Sequence, residues 1–151
     1  MAYYIEILQQ YNQELLDKLV ALEKEAFGSG GLNKWHLVPF INHGKVFVLY
    51  NDDEPIGLME VMLDFDNRQL AYLFGLSIKT EYKNQGLGSK LFDYVLQWLQ
   101  KAGFKEVELT VDPNNEGAYH IYKDKFGFKK EEYRDEEYGR NEPRLVMKLN
   151  L

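Results

Sequence analysis

Residues 76–90 read LSIKTEYKNQGLGSK. An apolar run, Gln69–Ile78, ends in this stretch, and the clearest helical periodicity of the chain begins inside it at about Leu87. The run is apolar on both faces, which predicts a central strand. Free backbone N–H groups at the helix start, together with the helix dipole, predict a site for an anion. Gly86 and Gly88 would let a bulky phosphate approach the backbone, because neither residue carries a Cβ.

Two better-known phosphate loops do not match this stretch. A P-loop requires Gly-Lys-Ser/Thr, whereas the order here is Gly88-Ser89-Lys90. A Rossmann fingerprint requires a third glycine, and Leu91 stands at that position. A plain tight turn that leads into a helix, without any ligand, therefore stays open beside the anion site. Lys83 and Lys90 would add positive charge to such a site.

The flanking sequence predicts further elements on both sides of this stretch. Apolar and alternating runs predict strands at Tyr3–Leu8, Val46–Tyr50, Ile56–Leu63, Gln69–Ile78, Glu106–Val111, Phe128–Tyr133 and Arg144–Leu149. Helical spacing and capping residues predict helices at 12–27, 32–37 (ending before Pro39), 87–101 and 115–125. Hairpins and crossover helices occur together in this order. The fold class predicted is therefore α+β, with a mixed sheet and helices on its faces.

Composition and charge limit the classes of function. The chain has 151 residues, which predicts a single domain over 1–151. Lys and Arg number 18 against 24 Asp and Glu, for a formal net charge of -6, so we expect no nucleic-acid partner. The chain has no cysteine, which removes disulfides, Cys-ligated zinc and any thiol nucleophile. The histidines, His36, His43 and His120, lack metal-ligand spacing, so no metal site is expected.

The N-terminal sequence and the length of the apolar runs predict a cytoplasmic protein. The N-terminal sequence MAYYIE has neither a basic region nor an apolar core, so it does not have the pattern of a signal peptide. The longest apolar run, Leu70–Leu76, is far too short to cross a bilayer, so no membrane association is expected. The lack of cysteine is also consistent with a reducing compartment.

Two motifs then give a resemblance to a known family. Lys83-x-x-Gly86-x-Gly88 resembles the Arg/Gln-x-x-Gly-x-Gly/Ala signature of the GCN5-related N-acetyltransferases (GNAT family), with Lys in the first position. That Lys keeps the charge but lacks the planar fork of Arg. A second segment downstream strengthens the resemblance, which covers Leu70–Phe128.

This second motif runs through Asn115-x-x-Ala118-x-x-x-Tyr122 and is followed by Gly127-Phe128. It is similar to the second motif of the same family. One extra residue separates Tyr122 from Gly127 compared with the commonest spacing in the family. We therefore expect Tyr122 to keep its register from Asn115, while the turn after the helix differs.

The resemblance implies that acetyl-CoA is the co-substrate and that it lies between two splayed parallel strands, Gln69–Ile78 and Glu106–Val111. Main-chain groups of Leu76 and Ile78 would pair with the pantetheine arm, and the amides of Gln85–Ser89 would hold the diphosphate. The implied cofactor-binding residues are Leu76, Ser77, Ile78, Lys83, Asn84, Gln85, Gly86, Leu87, Gly88, Ser89, Asn115, Ala118 and Tyr122.

The resemblance also implies a catalytic role for Tyr122, which would give a proton or a hydrogen bond to the CoA sulfur. The candidate base is Glu60, a carboxylate on a largely apolar strand face, where desolvation would raise its pKa. Glu108 on the other central strand, or a chain of water molecules, stays open as an alternative. Ser77 does not stand in a Gly-x-Ser-x-Gly motif, so direct attack in a ternary complex is favoured over an acyl-enzyme.

The function that follows is transfer of the acetyl group of acetyl-CoA to a primary amine. Small-molecule amines, including polyamine-like and amino-sugar acceptors, and peptide or protein amines stay open; the acidic balance favours a cationic acceptor. Segments Gly28–Gly31 and Asn33–Phe40 lie where relatives build the acceptor site. A non-catalytic acyl-CoA-binding or sensing module and a nucleotide-binding domain of another type are the alternatives, and a homodimer also stays open.

Overall fold

The computed structural model of the chain describes residues 2–151. Within them the strands are β1 Tyr3–Ile7, β2 Lys45–Asn51, β3 Glu54–Leu63, β4 Leu70–Ile78, β5 Glu106–Val111, β6 Lys129–Arg134 and β7 Arg144–Asn150. The α-helices are α1 Gln13–Phe27, α2 Lys34–His43, α3 Leu87–Lys101 and α4 Glu116–His120. Short 3₁₀ turns cover Gly28–Gly30 and Thr80–Tyr82, and a π-helical turn, Ile121–Lys125, continues α4.

The strands form a mixed sheet in the order β1-β2-β3-β4-β5-β7-β6. Antiparallel pairing joins β1 to β2, β2 to β3, β5 to β7 and β6 to β7. β4 and β5 run parallel, and their ladder joins Leu70–Tyr72 to Glu106–Glu108. β4 continues past the end of that ladder to Ile78. The predicted α+β class, with a mostly antiparallel sheet and a parallel central pair, is confirmed.

The backbone divides into two compact units. Unit 1 comprises the residues up to Met62 together with Phe74–Lys101, and unit 2 comprises Leu63–Leu73 and Ala102–Leu151. β4 therefore begins in unit 2 and ends in unit 1. The single domain over 1–151 that the chain length predicts stays a prediction.

The core of unit 1 lies on both faces of β2. Val46, Val48 and Tyr50 are buried in a cluster with side chains of α1 and α2. Phe47, between the first two of these, is fully buried, and its ring centroid lies 5.6 Å from that of Trp98 on α3. Because successive side chains of a strand point to opposite faces, α1 and α2 cover one face and α3 covers the other. The predicted helices on both faces are therefore present.

The second helix differs from the sequence prediction, which was wrong to end it before Pro39. The helix continues through Pro39 to His43. A proline at this position removes one helix hydrogen bond and disfavours the preceding turn. However, Pro39 itself is exposed, whereas Leu37 and Ile41 on either side of it are buried. Burial of these two side chains outweighs the lost hydrogen bond, and the Asn33 side chain caps the helix at its start by accepting from the Trp35 N–H.

The core of unit 2 is built on β5. Val107, Leu109 and Val111 are buried, and the residues between them are half-buried, which confirms the predicted alternation. Phe128 and Met147 are also buried almost completely. β6, at the end of the sheet order, is exposed along nearly its whole length. β6 begins at Lys129, one residue later than the sequence predicts.

Candidate functional site

The loop between β4 and α3 makes its tight turn with two residues in left-handed conformations. Asn84 has φ 61° and Gly86 has φ 77°. Asn and Gly are the residues that adopt this region at least cost. A Cβ built on Gly86 would meet no heavy atom within 4 Å, so this point of the backbone faces open space. The backbone then enters α3 at Leu87.

Three backbone N–H groups at the start of α3 lie ahead of its hydrogen-bond ladder. The first hydrogen bond of the helix runs from the Lys90 N–H to the Gly86 carbonyl at 3.0 Å. In the part of the chain that the structure describes, no side chain or carbonyl accepts from the N–H groups of Leu87, Gly88 and Ser89. The helix dipole adds partial positive charge at the same point. The loop can therefore bind an anion through its main chain.

Lysine side chains supply less charge to this point than the sequence suggests. The Lys90 Nζ lies over the Tyr3 ring, 5.7 Å from its centroid. Lys83 is exposed in the loop. Lys79 forms ion pairs with Glu54 at 2.5 Å and Glu81 at 3.1 Å, which raise the pKa of its ammonium group. The main-chain amides, together with Lys83, are therefore the principal donors for an anion.

Contacts within unit 1 hold this loop in place. The Thr80 N–H donates to Glu25 Oε2 at 3.0 Å, and Asn51 Nδ2 donates to the Tyr82 hydroxyl at 3.0 Å. The Tyr82 N–H donates to the Lys79 carbonyl at 2.8 Å, which closes the 3₁₀ turn. These bonds join the loop to α1 and to the end of β2. The amides of the helix start are thus fixed in direction before any ligand arrives.

The end of β4 packs closely against its neighbours. A Cβ built on Gly57 would lie 2.6 Å from Ile78 Cδ1 and 3.0 Å from the Ser77 carbonyl oxygen. A Cβ on Gly88 would lie 3.5 Å from Ile78 Cγ1 and 4.0 Å from Leu76 Cδ2. The Ser77 side chain is buried, and its Oγ has no hydrogen-bond partner among residues 2–151. The strand end and the helix start therefore form one packed corner.

In unit 2 the second motif forms the start of α4. Asn115 caps this helix, since its Oδ1 accepts from the Ala118 N–H at 3.1 Å. The Asp112 side chain accepts from the Asn114 N–H at 2.9 Å and shapes the preceding turn. The predicted contacts of Asn115 and Ala118 with acetyl-CoA stay predictions. The cap is the role that the structure shows for Asn115.

The extra residue after Tyr122 is accommodated by the π-helical turn. The Phe126 N–H donates to the Ile121 carbonyl at 3.3 Å, a hydrogen bond between residues five apart. Such a turn holds one more residue than an α-helical turn and is frequent at functional sites. The Phe128 N–H then donates to the Tyr122 carbonyl at 2.9 Å and ends the helix. The π-helical turn, Ile121–Lys125, includes Tyr122 itself, and the expected register of Tyr122 from Asn115 stays a prediction.

Tyr122 lies in surroundings that keep its hydroxyl protonated. The side chain is half-buried, and its ring centroid lies 6.1 Å from that of Phe128. Burial raises the pKa of the Tyr122 phenol above its ordinary value of 10.0. At neutral pH the group therefore remains a proton donor, as its predicted role requires.

Glu60 is fully buried in β3, and a second buried glutamate lies beside it. Glu23 of α1 is 2% exposed, and its carboxyl interacts with that of Glu60. Burial first, and Glu23 second, raise the pKa of Glu60 well above 4.5. Glu23 was not predicted as a site residue, although the sequence carries a signal for its burial. Glu23 follows Leu16 by seven residues and Leu19 by four, which places it on the buried stripe of the helix.

A polar cluster in unit 2 was also missed. The Tyr72 hydroxyl lies 3.2 Å from Thr110 Oγ1, and burial together with Tyr138 raises the pKa of Tyr72 to about 12. Glu108, the alternative base, lies on the same strand as Thr110; burial raises its pKa, and Lys148 at 3.8 Å opposes that shift. Tyr72 and Thr110 pair across the parallel strands, a contact that no local sequence pattern could indicate.

The histidines have local partners. His36 accepts from the Asn33 N–H at 3.2 Å in the cap of α2, and His120 pairs with Asp124 at 3.3 Å. Over residues 2–151 no group of three or more His, Cys, Asp or Glu is arranged to hold a metal ion. No helix in the same residues is both long and apolar enough to pass through a bilayer; α1 and α3 have 15 residues each.

Comparison with known proteins agrees with the motifs and the fold. The sequence model of the acetyltransferase (GNAT) family matches residues 6–128. The chain belongs to the GNAT family. Among curated GNAT relatives, the probable N-acetyltransferase san of Drosophila melanogaster is 31% identical over 96 residues, which are 62% of this chain and 52% of that protein. The matched region is therefore about half the length of this relative.

Solved structures share the GNAT fold over the whole chain. Ard1 from Thermoplasma volcanium has a TM-score of 0.86 at 16% identity, with 100% of this chain and 99% of that chain covered. Naa50 of Arabidopsis thaliana, in complex with the bisubstrate analogue CoA-Ac-MVNAL, has a TM-score of 0.80 at 22% identity, with both chains fully covered. At these identities the likeness shows the fold alone.

Proposed function

We propose that this GNAT protein is an N-acetyltransferase that moves the acetyl group of acetyl-CoA directly to a primary amine. The observation that carries the proposal is the row of open amides at Leu87, Gly88 and Ser89, after the left-handed Gly86. These amides stand where the first family motif occurs. A diphosphate is the anion that such a row of donors would hold in acetyl-CoA.

The proposed cofactor contacts follow the sequence prediction. Backbone groups of Asn84–Ser89 and the Lys83 side chain would hold the diphosphate. Leu76, Ser77 and Ile78 at the end of β4 would pair with the pantetheine arm, with Asn115 and Ala118 as further contacts. Support comes from the described amides, from the open space at Gly86 and from membership of the family. The Arabidopsis protein, which shares the fold, was solved with a ligand that contains CoA.

The proposed reaction is direct transfer in a ternary complex. The amine nitrogen attacks the thioester carbonyl, a C–N bond forms and the C–S bond breaks. Tyr122, whose raised pKa keeps it protonated at neutral pH, gives its proton to the departing sulfur. The chain has no cysteine that could carry an acyl group. The amine and thioester are therefore expected to react without a covalent enzyme intermediate.

The amine must lose a proton, and Glu60 is the proposed acceptor. Burial raises the pKa of Glu60 and so favours its protonated form, and a protonated carboxyl cannot act as a base. Together with Glu23 it forms a pair of buried carboxyls, and a pair that holds one proton keeps one negative charge. Glu60 is thus proposed to accept the amine proton as a member of this pair.

Peptide amines and small amines are both proposed as acceptor classes. The curated relative is named as an N-acetyltransferase, and the ligand of the Arabidopsis protein joins CoA to the peptide sequence MVNAL. This activity and this ligand are those of the two related proteins. For this chain, an acceptor panel that contains short peptides, polyamines and amino sugars, with release of free CoA thiol as the signal, identifies the class.

A second candidate function is an acyl-CoA-binding module without catalysis. The observation that favours it is the lack of a carboxylate in the part of β4 from Ala71 to Leu76. Thioester hydrolysis that no amine accelerates, together with binding of acetyl-CoA, would support this module. Amine-dependent thiol release would support the transferase.

Binding is tested by a matched pair of glycine substitutions at the two ends of α3. Gly86 and Gly103 both have positive φ, and a Cβ at either position meets nothing within 4 Å. Gly86→Ala and Gly103→Ala should therefore cost similar stability. Only Gly86→Ala should weaken acetyl-CoA binding, by about tenfold, the value of one charge-assisted hydrogen bond.

The measurement is the shift in melting temperature as acetyl-CoA is titrated, with ATP and NAD as comparison ligands. Protection by acetyl-CoA in wild type and in Gly103→Ala, reduced in Gly86→Ala, supports the site. Equal protection of both variants would remove the loop from the site, and protection by ATP or NAD instead would overturn the function.

A further inference from the structure

Two buried glutamates in unit 1 have too few hydrogen-bond donors. Glu60 is 0% exposed and Glu23 is 2% exposed. The Leu32 N–H donates to Glu23 Oε2 at 3.1 Å. Across residues 2–151, neither oxygen of Glu60 nor Oε1 of Glu23 has a hydrogen-bond partner. Three carboxyl oxygens are therefore buried without a protein donor.

A single proton between the two carboxyls gives a hydrogen-bond partner to two of these three oxygens. Two carboxylates out of water cannot both be ionised, because each charge raises the cost of the other. One proton placed between them supplies the missing donor and leaves one negative charge on the pair. The raised pKa of Glu60, caused by burial and then by Glu23, agrees in direction.

The contacts seen for Glu60 in the described part of the chain are with uncharged residues and with Glu23. Val46 of β2 is its partner in the antiparallel register, and Gly75 of β4 lies against its carboxyl, since a Cβ there would be 3.1 Å from Glu60 Oε2. α1 presents Glu23. None of the ion pairs seen among the described residues includes Glu23 or Glu60.

Glu23 also contacts the connection between α1 and α2. Glu23 accepts the amide of Leu32, the residue just after Gly28–Gly31. A Cβ on Gly31 would lie 2.6 Å from the Glu23 carbonyl oxygen, so the connection packs directly on the Glu23 backbone. Exposed aromatic side chains flank the connection, Phe27 at 48% and Trp35 at 77% exposure. These two rings are apolar surface that an acceptor bound at the connection would contact.

We propose that Glu23 is a positioning residue that shares one proton with Glu60 and thereby fixes the α1–α2 connection for binding of the amine acceptor. The inference rests on the proposed function for its acceptor part. The shared proton itself is a property of the fold and is tested without any substrate.

The shared proton has a defined effect on stability. The folded protein keeps a proton on Glu60 at pH values where the unfolded chain has lost it. The folded state therefore binds more protons between pH 4.5 and the raised pKa, and stability falls as the pH rises through that window. Glu60→Gln replaces the shared proton with an amide hydrogen that does not titrate. This variant should lack that fall.

The first experiment is urea unfolding of wild type, Glu60→Gln and the control Glu14→Gln from about pH 5 to about pH 9. Glu14 is an exposed residue of the same helix as Glu23. The midpoint of wild type should fall relative to Glu60→Gln as the pH rises, while Glu14→Gln should follow wild type. Parallel profiles of wild type and Glu60→Gln would overturn the shared proton.

Infrared spectroscopy of the wild-type protein also tests the shared proton, and it does not depend on whether a variant folds. A protonated carboxyl band should persist at neutral pH and disappear at alkaline pH. Complete ionisation of all carboxyls at neutral pH would overturn the proposal.

The second experiment separates the acceptor from the cofactor. Glu23→Ala removes both the proton partner and the Leu32 acceptor, and it should raise the KM for the amine by about tenfold or more. Glu23→Gln, which keeps the shape and the hydrogen bonds, should restore most of that loss. Protection by acetyl-CoA should be unchanged in both variants.

The outcomes of this experiment are distinguishable from a failure of the proposed function. If the amine KM does not respond to Glu23→Ala, or if Glu23→Gln does not restore it, the positioning role is overturned. If wild type shows no amine-dependent thiol release, the proposed function fails, and the urea and infrared results still decide the shared proton.

Discussion

At the residue scale, two tyrosines three positions apart illustrate how surroundings decide a role. Tyr122 is half-buried beside Phe128, and burial raises the pKa of its phenol. The Lys123 ammonium lies 5.8 Å from the ring centroid of Tyr119, and the His120 ring lies 5.4 Å from it. Burial thus keeps the Tyr122 hydroxyl protonated at neutral pH, as the proposed proton donor requires.

We expect Tyr122→Phe to lower kcat by about a hundredfold, the usual loss on removal of a general acid. The dissociation constant for acetyl-CoA should change much less, because the ring and its packing remain. Steady-state kinetics with an amine found by the panel, together with thermal protection, measure the two quantities. Tyr119→Phe is the matched control, and an equal kcat in both variants would remove Tyr122 from the reaction.

The residues of the site were only partly predictable. Gly86 and Gly88 have a local signal, since glycines between an apolar run and a helical period predict a turn with open amides. Glu60 was found as a carboxylate on an apolar face. Its partner Glu23 lies on α1. The interaction of the two carboxyls depends on how α1 packs on β3, which the sequence of either element alone does not show. Reading the helical period strictly would still have marked Glu23 as buried.

At the scale of the elements, the close approach of β3 to the end of β4 depends on Gly57. We expect Gly57→Ala to lower the free energy of unfolding by about 1–3 kcal/mol, because its Cβ would overlap Ile78 Cδ1. Adding Ile78→Val removes that methyl group and should recover part of the loss; the contact with the Ser77 carbonyl remains. Urea unfolding measures both variants.

Gly30→Ala serves as the control for this prediction. A Cβ at Gly30 meets nothing within 4 Å, and its φ is not in the left-handed region. Its stability should stay within about 1 kcal/mol of wild type. If Gly57→Ala and Gly30→Ala were equally stable, the space between β3 and the end of β4 would be wide enough for a Cβ at position 57, and the prediction would be wrong.

The boundaries of the helices and strands were less predictable than their existence. The strands and the long helices were predicted within a few residues, because alternation and helical period repeat over many positions. The end of α2 was predicted wrongly at Pro39. The cost of a proline inside a helix can be read from the sequence, whereas the burial of Leu37 and Ile41 cannot. The spacing after Tyr122 indicated a changed turn, but only the backbone shows that the change is a π-helical turn.

At the scale of the whole molecule, the formal net charge of -6 predicts a response to salt. An acidic protein attracts a cationic amine, and this attraction is screened as the Debye length falls from about 30 Å at 0.01 M salt to about 3 Å at 1 M. We expect kcat/KM for a cationic acceptor to fall several-fold over this range.

A neutral amine of similar size is the control for the salt dependence, because it gains nothing from the net charge. Its kcat/KM should change little across the same salt series. An equal fall for the two amines would indicate that salt acts on acetyl-CoA binding or on the protein itself rather than on attraction of the acceptor.

The architecture as a whole was the most predictable part. The order of strands and helices and the two motifs together indicated a mixed sheet with a parallel central pair, which the structure confirms. Pairings between distant strands, such as Tyr72 with Thr110, were outside the reach of the sequence, because they depend on register across the sheet.

Gly75 has a consequence for the evolutionary history of this chain. Its missing side chain leaves the room that the carboxyl of Glu60 occupies, 3.1 Å from where a Cβ would stand. The two positions should therefore be inherited together. A descendant that loses the acid at position 60 becomes free to accept alanine or serine at 75, and one that keeps the acid should retain glycine.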